Sequence, residues 1–142
     1  MLMGQITLVL VCLFTGAALY ISVVEQPARL VLDDRSLLAE WQPSYRRAAK
    51  MQAGLVVLSG GLGLVAAWLT HDWRWVVGAA LMLINGPYTL LGIMPTNKLL
   101  QATAFERADA TTRALIKTWG QLHAGRTALG FAAILADLWA LH

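Results

Sequence analysis

Residues 119–126, W-G-Q-L-H-A-G-R, open an apolar segment that runs on to Leu141. A helix over this segment is long and greasy enough to cross a bilayer. It carries His123 and Arg126 inside its first turns, where an ionisable group is expensive and marks either function or a fixed partner. Trp119, His123 and Arg126 follow the i, i+4, i+7 spacing, so they share one face, which should point into a bundle.

The rest of the chain has the same character. Of 142 residues 58% are apolar and only 13% charged, a membrane composition rather than that of a soluble domain. Spans are predicted at about 3–24, 50–70, 75–94 and 117–141, giving an all-α integral membrane four-helix bundle that fills residues 1–142 as a single domain. The net charge of +3 is read as a record of membrane orientation, not of nucleic-acid binding. The one cysteine, Cys12, excludes an intramolecular disulfide and is expected to be a small buried hydrophobe. The first apolar run lacks a basic flank and exceeds a signal-peptide core, so it is expected to be a retained helix.

Span one should stop at Pro27 and span three at Pro95, because proline disfavours helical geometry in the residue before it. The charged connection 28–49 is expected to rest on the headgroups, anchored by Trp41 and Tyr45, and residues 98–117 to form a second amphipathic interfacial helix. Trp73, Trp75 and Trp139 read as interfacial belt residues too. Gly54, Gly60, Gly61 and Gly63 on span two, and Ala124, Ala128, Ala132 and Ala136 on span four, offer small-residue surfaces for close packing. Span three contains Asn85 and Pro87, whose missing N–H should leave a carbonyl free.

Of eleven Lys and Arg, only Arg74 falls on the side of the termini. The positive-inside rule places both long connections in the cytoplasm of a bacterial inner membrane and both termini outside. Glu25, Asn97, His123 and Arg126 then lie in the cytoplasmic half, with Tyr88, Asn85 and Trp119 at similar depth. Asp137 is about three turns further along and out of Arg126's reach.

Two uses of this cluster stand side by side. Glu25 and Arg126 form a structural ion pair, or Arg126 holds an enolate-like oxygen while His123 or Glu25 exchanges a proton. His123 is a hydrogen-bonded buried imidazole, a proton-transfer group, or a metal ligand with Glu25 and Asn97. No cofactor is favoured, and the metal centred on His123 and Glu25 is the lesser option because a catalytic zinc site wants three ligands.

Two stretches, P-Y-T-L-L-G-I-M-P-T-N-K-L-L at 87–100 and W-G-Q-L-H-A-G-R at 119–126, resemble the small four-helix membrane family that includes the anthrone oxygenases. E-Q-P-A-R at 25–29 and W-Q-P-S-Y at 41–45 fit its first half. The resemblance implies oxidation of an anthrone-type aromatic to a quinone by molecular oxygen, with Asn97, Trp119, His123 and Arg126 at the family's polar positions. The reading is an oxidoreductase with catalytic His123, Arg126, Glu25 and Asn97. Trp119, Tyr88 and Asn85 would line a pocket for a hydrophobic small molecule. The runner-up is a non-enzymatic membrane module that binds a lipid, quinone or partner protein. A homo-oligomer is compatible with either.

Overall fold

A computed structural model describes residues 2–142. Four helices are long and apolar enough to cross a membrane: α1 Leu2–Arg29, α2 Asp34–Thr70, α3 Arg74–Ala102 and α4 Ala110–Leu141. They run up, down, up and down. Each packs against its neighbours in sequence and α4 closes the square on α1, while the diagonals touch little. Large apolar side chains such as Val57, Leu91, Leu135 and Trp68 point outward. Such an exterior is stable against lipid and not against water.

The helices are longer than the apolar runs. At about 1.5 Å per residue, the 37 residues of α2 and the 32 of α4 exceed a hydrocarbon core of about 30 Å by several turns. Residues 34–49 and 110–117 are therefore the ends of α2 and α4 projecting past the core. They are not the interfacial helices expected, and the bundle continues through them because their apolar positions still face inward. Leu37, Leu38, Trp41, Leu100 and Ile116 make one buried cluster there with Trp119, Ile21 and Ile93. Trp41 is fully buried, stacked on Tyr45 and edge-on to Trp119, so it is a core residue and not a membrane anchor. Trp75 is likewise buried, against Ala66 and Ala140, whereas Trp73 and Trp139 pair at the exposed far end.

Neither Pro27 nor Pro95 stops its helix. Each lies two residues past a π turn, Ile21–Glu25 in α1 and Thr89–Ile93 in α3, where Gln26 N–H donates to Ile21 O and Met94 N–H to Thr89 O. A wide turn relieves the clash between a proline ring and the carbonyl four residues back, and the helix resumes. Asn97 thus belongs to α3 itself.

Short connections fix the ends. Asp33 caps α2 through Ser36 N–H, and Asp109 caps α4 in a reciprocal box with Thr112. Arg113 bonds the carbonyls of Leu30 and Leu32 and the carboxylate of Asp34. Gln42 takes the Leu100 and Thr103 carbonyls at 2.9 and 3.0 Å, sealing the end of α3. At the other end α2 finishes on left-handed His71, and Arg74's side chain holds the Asp72 carboxyl below its ordinary range.

Close packing uses a partly different set of small residues from the one the sequence suggests. On α2, Gly60 seats Leu83 and Gly63 seats Ala79, but Gly54 and Gly61 meet nothing. On α4 the inward face runs Ile116, Trp119, His123, Thr127, Gly130, Ala133 and Asp137, so Ala124 and Ala128 are exposed. Cys12 faces outward as well, not into the core.

Candidate functional site

The π turns and the splay of α2 from α3 open a cavity of about 330 Å³ inside the half of the bundle nearer the 30–33 and 103–109 connections. Its walls are mostly aliphatic: Ala49, Ala53, Val56 and Val57 from α2, and Gly86, Leu90, Ile93 and Met94 from α3. Polar groups enter it from three helices. Tyr45 comes from α2, Asn85, Thr89 and Asn97 from α3, and Trp119, His123 and Arg126 from α4.

Many of these polar atoms are buried without a protein partner. They include both ends of the Asn97 amide, Asn85 Oδ1, Thr89 Oγ1 and Arg126 Nε. Buried polar groups are ordinarily satisfied, and a cluster of orphans around one cavity is what a polar ligand would complete. Donors and acceptors are both present, since an amide and a guanidinium donate while carbonyl and hydroxyl oxygens accept.

Arg126 is the central charge. Its guanidinium lies 5.4 Å from the Phe14 ring centroid, and among the described residues no carboxylate lies within ion-pairing distance of it. The expected pairing with Glu25 does not form. Glu25 bonds instead to Arg29, one turn along its own helix, and to Ser44. Arg29 also meets Glu40 at 2.9 Å and lies 5.7 Å over Trp119. A local i, i+4 partner outcompetes a distant one because less chain must be ordered to make it.

His123 is buried beside Arg126, its ring 5.0 Å from that of Trp119 in a stacked arrangement. Its Nδ1 lies 3.4 Å from Ser22 Oγ, which is 3.2 Å from Thr127 Oγ1. Ser22 sits on the π turn of α1, and Thr127 is one turn beyond His123 on the same face. The chain Thr127, Ser22, His123 orients the imidazole, and among the described residues Nε2 has no hydrogen-bond partner. Tyr88, expected as a wall, does not line the cavity. Its hydroxyl donates to Leu122 O at 2.6 Å, and glycine at 125 is what admits the ring, because a Cβ there would lie 2.2 Å from that hydroxyl.

Of the residues singled out from sequence, the structure brings Asn85, Asn97, Trp119, His123 and Arg126 to one cavity. Glu25 and Tyr88 stand behind it as supports. Ser22, Tyr45, Thr89 and Thr127 were not anticipated in the site. Thr127 was legible as i+4 from His123, whereas Ser22, 101 residues away, was not. The donor set for a metal centred on His123 and Glu25 is not assembled, and among the described residues no three His, Cys, Asp or Glu side chains converge.

A buried carboxyl lies far from the cavity. Asp137 is fully buried near the opposite end of α4, packed on the bare backbone of Gly78, and among the described residues neither of its carboxyl oxygens has a hydrogen-bond partner.

One family description, anthrone oxygenase, matches residues 41–136. No curated protein and no solved structure matches the chain.

Proposed function

Given that the chain belongs to the anthrone oxygenase family, we propose that it is a membrane-embedded oxidoreductase that converts a hydrophobic fused-ring ketone to the corresponding quinone with molecular oxygen. The observation that carries this reading is Arg126, a half-buried guanidinium whose enclosed Nε has no protein partner and which has no counter-ion among the described residues, facing an aliphatic cavity beside a buried histidine.

The chemistry balances as one anthrone plus one O₂ giving one quinone plus one water. Removal of a proton from the ring CH₂ leaves an electron-rich enolate whose negative charge rests on the oxygen. Oxygen adds to the carbanionic carbon, the peroxide anion so formed takes the proton back from the base to give a hydroperoxide, and loss of water from that carbon leaves the second carbonyl. His123, held by Ser22 and backed by Trp119, takes the proton as general base. Arg126 and the Asn97 amide hold the enolate oxygen, stabilising charge that develops in the transition state inside a dry site. Asn85 and Thr89 accept from or donate to ring substituents, while Glu25 and Tyr88 position Arg29 and α4. The cavity would face the cytoplasmic half of a bacterial inner membrane, with termini outside, following the distribution of Lys and Arg.

The test is quinone formation and oxygen uptake with anthrone as substrate in membranes carrying the wild-type protein, His123→Ala or Arg126→Ala. Both variants should lose turnover, and full turnover in both removes these roles. The second reading, a non-enzymatic module holding a lipid or quinone, is favoured by the cavity's aliphatic walls. It predicts ligand binding with no oxygen uptake by the wild type.

A further inference from the structure

We propose that the cavity is loaded sideways from the lipid, through a window between α2 and α3 whose width is set by the absence of a side chain at Gly86. The inference rests on the cavity being a ligand site, as argued above. Close contact between α2 and α3 is concentrated at Arg74–Leu83, where Gly60 and Gly63 let the helices meet, and is sparse from Asn85 to Ala102. The pair therefore parts midway, between these contacts and the Gln42 bonds that rejoin the two helices at the connection end. The cavity lies in that opening, and several of its lining residues are at once lining and lipid-facing: Ala53, Val57 and Leu90, the last two each more than 60% exposed. A residue that lines a cavity and also faces outward marks a mouth.

The mouth is unobstructed because of its small residues. Ala49 and Ala53 are one turn apart on α2, and Gly86 lines the same cavity from α3 at about the level of Val57, as the Gly60–Leu83 and Gly63–Ala79 contacts set the register; a Cβ built at Gly86 meets nothing within 4 Å. By contrast the connection end is closed by stacked Trp41 and Tyr45 and by the Gln42 bonds to α3. An apolar ring system dissolved in lipid would meet the aliphatic rim first and Arg126 and His123 last, so the ring partitions before its oxygen is recognised. A Cβ added at Gly86 meets nothing in the fold, and a larger side chain built on it would stand in the mouth.

The test uses 9-anthracenecarboxylate, a planar three-ring anion, as the probe. Its association and dissociation are followed by fluorescence with the full chain in phosphatidylcholine nanodiscs. Wild type should bind, and Arg126→Gln should weaken binding at least tenfold. Gly86→Trp should slow association and dissociation together by tenfold or more, with the ratio little changed, since a barrier at a gate affects both directions. Gly54→Trp, on α2 where a Cβ also meets nothing and outside the cavity lining, should leave both rates unchanged. Unaltered rates in Gly86→Trp, a loss of affinity with unchanged association, or equal slowing in Gly54→Trp overturns the window alone. Absence of wild-type binding overturns the window and the ligand-site reading together.

Discussion

Arg29, buried, and Arg126, half-buried with its Nε enclosed, stand at neighbouring levels of one bundle, and they are treated oppositely. Arg29 is enclosed by the carboxylates of Glu25 and Glu40 with Ser44 alongside. Arg126 has aromatic neighbours, an orphan Nε and a cavity. A charge in a low-dielectric interior is tolerated when its field is neutralised on the spot, as at Arg29. Where the neutralising partner is missing, as at Arg126, the charge is costly, and the proposed ligand role would account for it. The pair separates scaffold from site within about two helix turns, since Arg29 lies over Trp119, two turns before Arg126 on α4.

The largest effect should fall on chemistry at His123. Exchange to Asn keeps a polar side chain of similar reach but removes the base, and turnover of anthrone should drop by about 10²–10⁴, measured as oxygen uptake per folded molecule. Arg126→Gln should follow at about 10²–10³, with the thermal transition close to wild type because no ion pair is broken. Arg29→Gln should do the reverse. It leaves two carboxylates without their cation and should destabilise by about 2–3 kcal/mol, below the usual cost for a fully buried pair because both carboxylates are partly exposed. Its turnover per folded molecule should stay within a few-fold of wild type. The triple change with Glu25→Gln and Glu40→Gln should recover much of that stability, the mark of energetic coupling. An Arg29 variant that folds normally yet is inactive would collapse the distinction.

How far the sequence led follows from the same contrast. The spans were legible because apolar runs of this length have few other uses, and the shared face of Trp119, His123 and Arg126 followed from helical periodicity alone. Helix ends were not. Pro27 and Pro95 read locally as stops, but a bundle that continues on both sides makes a π turn cheaper than a break. The charge-rich stretches 34–49 and 110–117 read as surface helices because hydropathy says where the bilayer ends and not where the helix ends. The partner of Arg126 was sought in Glu25, the nearest acid by depth. Arg29 stood four residues from Glu25 in the same helix, and the i, i+4 rule, applied there, would have claimed it first. Ser22 as the partner of His123 depends on how α1 rotates at its π turn, which no local pattern encodes.

Asp137 extends the comparison to the far end of α4. There a carboxyl is buried against Gly78 so closely that a Cβ on residue 78 would lie 2.0 Å from Oδ1. Gly78→Ala should destabilise by about 1–3 kcal/mol through overpacking, read as a lowered thermal midpoint in detergent. The double change with Asp137→Ala should recover most of the loss, because the clash is with that side chain. Turnover per folded molecule should be unaffected, since the cavity lies in the other half of the bundle.

The smallest effect belongs to a charge that is fully solvated. Asp109 caps α4 by accepting from Thr112 N–H at 3.0 Å and from the Thr112 hydroxyl at 3.2 Å, and those bonds, the backbone one first, hold its carboxyl below the usual aspartate range. A carboxyl depressed in the folded state binds its proton more weakly there than when unfolded. Its contribution is therefore complete above the unfolded value of about 3.9 and fades as pH falls through the folded one. Asp109→Asn keeps an oxygen for the cap while removing the titration. The difference in thermal midpoint between wild type and Asp109→Asn should thus be constant from neutral pH down to about 5, and shrink as acid protonates the aspartate. Because α4 starts at this cap and carries Arg113 onto the α1–α2 turn, loosening it should fray the connection end first. Hydrogen exchange in residues 110–117 should rise while the amides around His123 stay protected.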